Sequence, residues 1–297
     1  MAGIELSAGF IDYEDVGGPG PTVVLIHGLM MDASVWHRVA QVLAPDHRCV
    51  IPTLPLGAHR QAMKADADLS LRGIAGLLGE FLERLNLRNI TLVVNGWGGA
   101  LLTAMDQQPR IRRLVLTSCE AFDNIPPGLP GLFAQLVARV PGGIFWSAHI
   151  LRLPIAQRLP LTFGWVAKYP VANTLVQGWL HGCRSQPGVR RDLRKYLGSA
   201  GNRTDLLQAT LALAGFRNAT LIAWAAEDRI MPPEHGERLA ELMPHASLTE
   251  ILDSYTLIPS DQPARLAQLI REFSEVEWIW ERHDPHEDFY LPENSFA

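Results

Sequence analysis

The chain has 297 residues, 47% of them hydrophobic, which is enough for one large α/β core with an inserted subdomain. Its formal net charge of -5 supplies no overall basic field for a phosphate backbone, so nucleic acid is not expected as a partner. Three scattered cysteines, Cys49, Cys119 and Cys183, make neither a disulfide framework nor a zinc cage; free thiols suit a reducing compartment, and a cytoplasmic location is expected.

At the N-terminus the first ten residues carry neither a basic n-region nor an apolar h-region, and no uninterrupted apolar run approaches the roughly 20 residues a bilayer requires. Neither secretion nor a membrane partner is expected. Strands are predicted at residues 22–27, 49–54, 90–95, 113–118, 220–225 and 247–252, rich in Val, Ile and Leu without alternation, the pattern of a parallel sheet covered on both faces. Between the second and third, Ser70 can cap a helix whose apolar positions Leu71, Ile74, Leu77, Leu78, Phe81, Leu82 and Leu85 follow the 3.6-residue period. The alternation defines the fold class: α/β, a doubly wound and mostly parallel sheet. Ligands bind beyond the carboxyl ends of such strands, so the residues after each strand are the candidates for function.

From about residue 124 the alternation lapses, and eight prolines break short helical segments, the mark of an inserted helical cap. The expected organisation is a core of residues 1–123 and 206–276, a cap of 124–205 and a tail of 277–297. The cap holds Phe133, Phe145, Trp146, Phe163, Trp165, Tyr169, Trp179 and Tyr196; most should fill its own core, and some, with Trp146 chosen as a lining residue, should face an apolar pocket. Between residues 124 and 203 there are ten basic side chains and one acid, Asp192, which either dock the cap on an acidic body or attract an anionic substrate. In the tail, His283 and His286 have a spacing open to metal ligation, but a solvated terminus is the expected reading.

Four segments follow strands with a recurring pattern. They are His27-Gly28-Leu29, Val94-Asn95-Gly96-Trp97-Gly98-Gly99-Ala100, Trp224-Ala225-Ala226-Glu227-Asp228, and Asp253-Ser254-Tyr255-Thr256-Leu257-Ile258-Pro259. Over about residues 22–273 the chain resembles the α/β-hydrolase superfamily, particularly the branch of epoxide hydrolases and haloalkane dehalogenases. The resemblance implies that His27, Gly28 and Leu29 form an oxyanion loop, that Gly96 occupies the nucleophile's place in a strand–elbow–helix motif, and that Asp228 is the acid. Glu120 lies where some dehalogenase-like relatives put their acid instead. Thr256 falls in the histidine's place. Trp97 after the elbow is the residue type of the aspartate-using branch, so Gly96 stands where that branch has Asp.

Glycine relieves the strain of an elbow whose central residue has positive φ, but supplies no nucleophile. A threonine hydroxyl is no base near pH 7, so a nucleophile–His–acid relay cannot be assembled from these positions. His59, on a loop after a strand, is the candidate replacement, with His149 and His181 of the cap behind it; His27 is expected to brace its loop. Glu227 reads as a solvated neighbour of Asp228, and Glu120 or Asp123 can alternatively cap a helix. Backbone N–H groups of Leu29 and Trp97 can still recognise a carbonyl or anion whatever stands at 96.

Three functions follow. One is non-covalent acid/base chemistry of a cyclase, isomerase, dehydratase or lyase type on a hydrophobic, even anionic, small molecule, with Asp228, Glu120 or His59 moving the proton. The second is an epoxide, ester or haloalkane hydrolase altered at Gly96 or using an activated water. The third is an inert ligand-binding protein. No cofactor is expected, because no G-x-G-x-x-G follows a strand and neither a Walker lysine nor a strong metal-ligand spacing is present.

Overall fold

The computed structural model describes residues 2–199 and 203–275. The six predicted strands form, each within two residues of its expected ends: β3 (Thr22–Ile26), β4 (Arg48–Pro52), β5 (Ile90–Gly96), β6 (Ile111–Cys119), β7 (Ala219–Ala225) and β8 (Ala246–Ile251). They are preceded by an unpredicted antiparallel hairpin, β1 (Ala2–Leu6) and β2 (Gly9–Val16). The sheet order is β1-β2-β4-β3-β5-β6-β7-β8, with β3 to β8 parallel and β2 antiparallel to β4. Strands β3 to β7 are almost wholly buried, which is why their sequences run apolar without alternation.

Core helices cover the sheet: α1 (His37–Leu43), α2 (Leu71–Arg84), α3 (Gly99–Asp106), α11 (Arg203–Ala212), α12 (Pro233–Leu242), α13 (Ile258–Asp261) and α14 (Pro263–Glu275). As expected, Ser70 caps α2, its hydroxyl accepting from the Gly73 N–H at 3.0 Å. Between β6 and β7 lie α4 (Gly128–Arg139), α5 (Gly143–Ile150), α6 (Pro154–Gln157), α7 (Phe163–Val166), α8 (Asn173–Trp179), α9 (His181–Ser185) and α10 (Pro187–Ser199). The tail of residues 277–297, with His283 and His286, lies outside the described residues.

The chain leaves β3 for β4 on one side and comes back to β5 on the other, so β3 and β5 straddle the point where strand order reverses. A crevice opens there at the carboxyl ends of the strands. Gly28 and Gly96 stand on its two lips.

Candidate active site

Gly96 is the last residue of β5 and has φ +77°, a left-handed conformation that costs a side-chain-bearing residue on the order of 1 kcal/mol or more. Space is not what excludes a side chain. A Cβ added there would meet only the Gly28 Cα, at 3.4 Å, an ordinary contact. Gly98 is different: a Cβ at that position would lie 2.6 Å from the Glu120 carbonyl oxygen, so only glycine lets the elbow and the end of β6 come together.

That approach brings the Gly98 N–H to Glu120, whose Oε2 accepts from it at 3.1 Å. Glu120 is 6% exposed, and burial raises its carboxyl to about 7 against the lowering effect of that hydrogen bond. Asp228 is held by three donors on one oxygen: Oδ1 accepts from Thr256 Oγ1 at 2.7 Å and from the Ile230 and Met231 N–H groups at 2.9 Å. Burial outweighs these bonds and pushes its carboxyl above the usual aspartate range. Thr256, the residue expected in the histidine's place, thus donates to Asp228, the residue expected as the acid, through a hydroxyl rather than an imidazole.

One further residue joins the parts. Asn95 Nδ2 donates to Thr117 Oγ1 at 3.0 Å and to the Thr256 carbonyl at 2.8 Å, tying the elbow to β6 and to the loop after β8. Sequence reasoning passed over it, although an asparagine closing a buried apolar strand must find partners.

Above the crevice is a cavity of about 310 Å³. The core contributes Gly28, Leu29, Met30, Asn95, Gly96, Glu120, Thr256 and Leu257; the inserted helices contribute Phe133, Val137, Ile150, Leu151, Phe163 and Leu193 among others. Among the described residues, Glu120 is the one ionisable side chain that lines the cavity, no histidine lines it, and none of the basic residues of the insertion does. The basic charge works elsewhere: Lys168 pairs with Glu227 at 2.6 Å and Asp253 at 2.9 Å, and Lys195 donates to the carbonyls of Ala65 and Ala67. The docking reading of that charge fits these contacts, and among the described residues no basic side chain lines the pocket itself.

Two candidates change place. His59 is buried but does not line the cavity; its Nδ1 accepts from the Gly57 N–H at 3.4 Å and its Nε2 faces Asp192 Oδ2 at 3.3 Å, so the ring fastens a core loop to α10. A partner more than a hundred residues away turned it from the rim. Trp146 is 64% exposed and does not line the cavity, because it stands on the outer side of α5. The lining aromatics are Phe133 and Phe163, while Trp179 is buried with its Nε1–H on Ser34 Oγ at 2.9 Å.

The other expected positions resolve into supports. His27 is a brace: its Nδ1–H donates to the Gly28 carbonyl at 2.8 Å, its Nε2 accepts from the Leu54 N–H at 2.9 Å, and burial lowers its pKa, which favours the neutral ring both bonds require. Trp97 is 1% exposed, with its ring in the core and only its backbone at the elbow. Glu227 is the solvated neighbour, paired to Lys168; Asp123 and His181 are exposed, and His149 donates from Nδ1 to the Phe145 carbonyl at 2.9 Å. Among the described residues no three His, Cys, Asp or Glu side chains converge as a metal-ligating group.

A parallel sheet with this elbow, an acid after β7 and a helical insertion after β6 defines a class, and the chain belongs to it: residues 21–263 match the alpha/beta hydrolase fold family. Within that family it is 34% identical over 91 residues to a haloalkane dehalogenase of Mesorhizobium japonicum, a stretch covering 31% of this chain and only 29% of the dehalogenase. It is 25% identical over 266 residues to a cis-3-alkyl-4-alkyloxetan-2-one decarboxylase of Shewanella oneidensis, covering 86% of this chain and 82% of that one. An ancestral haloalkane dehalogenase superposes with a TM-score of 0.72 over 93% of this chain and all of its own, at 18% identity, a likeness of fold.

Proposed function

We propose that the chain is a small-molecule enzyme that moves a proton on an apolar substrate without a covalent enzyme intermediate, and that Glu120 is the group that moves it. The observation that carries the reading is the solitary position of Glu120 in an apolar cavity, with a carboxyl that titrates near 7. A general acid or base works best when its pKa lies near the working pH. Asp228, locked by three donors and absent from the lining, serves to hold the Thr256 loop, and His59 is removed from the chemistry by its position.

In this reading the apolar body of the substrate fills the space under Phe133, Ile150 and Phe163, and its one polar group lies between Gly28, Gly96 and Glu120. Negative charge developing on a carbonyl or ring oxygen is met by the backbone N–H groups of Leu29 and Trp97 and by the amino end of α3. Protonated Glu120 donates to the leaving or rearranging atom; ionised, it takes a proton from the neighbouring carbon. A relative named for decarboxylation of a dialkyl four-membered lactone supports chemistry of the lyase type on an apolar substrate.

The test is turnover of a panel of aliphatic lactones, epoxides and enolisable ketones in 18O-labelled water. We expect a product free of label at a rate that inflects near pH 7, with that inflection absent in Glu120→Gln. Turnover undiminished in Glu120→Gln overturns the reading, and saturable binding with no product on any panel assigns the chain to the inert binders.

Hydrolysis is the second reading, favoured by the dehalogenase likeness and by the room for a Cβ at Gly96. Label in the product would establish it.

A further inference from the structure

The inserted helices turn an apolar face outward. Along α4 and its C-terminal residue, Leu129, Leu132, Phe133, Leu136 and Val140 recur at i, i+3, i+4, i+7 and i+11, one stripe of a helix, and each is between 39% and 59% exposed. The stripe that would ordinarily face a core has none over it. Further along the same insertion, Trp146 of α5 is 64% exposed and Ile155 of α6 is 78% exposed. Eleven of the sixteen large hydrophobics exposed among the described residues fall between positions 129 and 161, so the patch is concentrated in one segment and is not ordinary scatter.

Its charge has a single sign. The chain contains no Asp or Glu from residue 124 to residue 191, while Arg139, Arg152 and Arg158 are all exposed within the apolar stretch. The patch also surrounds the way into the cavity: Phe133, Ile150, Leu159 and Leu161 are exposed and line it as well. We infer that this face docks on the surface of an anionic phospholipid bilayer, with the pocket mouth against the lipid. Apolar side chains enter the acyl boundary, a tryptophan sits at headgroup level and arginines meet the phosphates, the combination by which amphipathic helices lie on membranes.

Two other occupants fit less well. A second copy joined by a twofold axis would set these arginines against one another with no carboxylate in the segment to receive them. The chain's own acidic tail begins beyond Ser274, whose Oγ lies 2.7 Å from His47 Nε2, next to the start of β4 and so at the amino edge of the sheet, opposite the cavity. Peripheral docking of this kind needs no spanning segment, and among the described residues no helix is long and apolar enough to cross a membrane. It stands apart from the proposed chemistry, since none of the residues altered below lines the cavity.

The experiment is flotation of the full chain with vesicles of phosphatidylcholine mixed with phosphatidylglycerol, and with vesicles of phosphatidylcholine alone. Binding is expected to the mixed vesicles, falling with added salt. The double variant Leu136→Glu with Ile155→Glu is expected to lose partitioning by on the order of tenfold or more, and Arg152→Glu with Arg158→Glu to fall to the level of the neutral vesicles. Unchanged melting curves and circular dichroism keep either loss from being unfolding. The inference is overturned if the wild type floats with neither vesicle, or if both double variants bind as it does. It is equally overturned by a concentration-dependent dimer that Leu136→Glu dissolves, or by binding that appears only when residues 276–297 are removed.

Discussion

Glu120 illustrates how burial turns an ordinary carboxyl into a group tuned to neutral pH. Its pKa in the folded protein, about 7, lies above the 4.5 of an unburied glutamate, so folding favours the protonated form. Its contribution to stability is complete below about pH 4.5 and is lost as pH rises through about 7, an effect on the order of 3 kcal/mol. Glu120→Gln, which cannot ionise, should flatten the decline of the melting temperature between pH 5 and 8; denaturation at a series of pH values checks this. Gly96 supplies a second test. Gly96→Ala should cost about 1 kcal/mol through its backbone alone, since φ is +77° and the space is open. Gly96→Asp by itself should release at most one equivalent of halide from a haloalkane, because attack needs only the carboxylate while hydrolysis of the resulting ester needs a base that Thr256 does not supply, whereas Gly96→Asp with Thr256→His should turn over; a halide-release assay tells one equivalent from many.

Between elements, the site is held by short polar bridges at the ends of buried strands. Asn95 joins β5 to β6 and to the Thr256 loop, and Thr256 joins that loop to Asp228 after β7. Thr256→Val keeps the shape and removes one donor to a buried carboxylate, so a loss of about 2 kcal/mol is expected in urea unfolding. The parallel strands were readable because strands buried on both faces must be apolar throughout, and Gly96, Glu120, Asp228 and Thr256 stand out because each ends or follows a strand; the hydrogen bond between Thr256 and Asp228 was not readable in the sequence. The hairpin β1–β2 was not: it is a short, half-exposed edge whose residues carry no continuous apolar run. The directions of His59 and Trp146 were also out of reach, since partners distant in sequence or the outer face of a helix decide them.

For the molecule as a whole, charge is divided between insertion and body, and several fastenings hold the two together. Asp192 on α10 is fully buried and accepts from the Met63 N–H at 2.7 Å while facing His59 and Arg191. Asp192→Ala leaves those donors without their acceptor, and a loss on the order of 3 kcal/mol is expected, with protease cleavage concentrated in the insertion. At the other end, Asp261 accepts from the N–H groups of Lys168 and Tyr169, and Lys168 reaches Glu227 and Asp253. Moored by its two feet, the insertion is an arch. Helices α4 to α6 come before both moorings and, among the described residues, form no such hydrogen bond or ion pair with the body, so traffic to and from the interior is expected to pass beneath them, and a bridging disulfide from them to the body should shut the door without disturbing the floor.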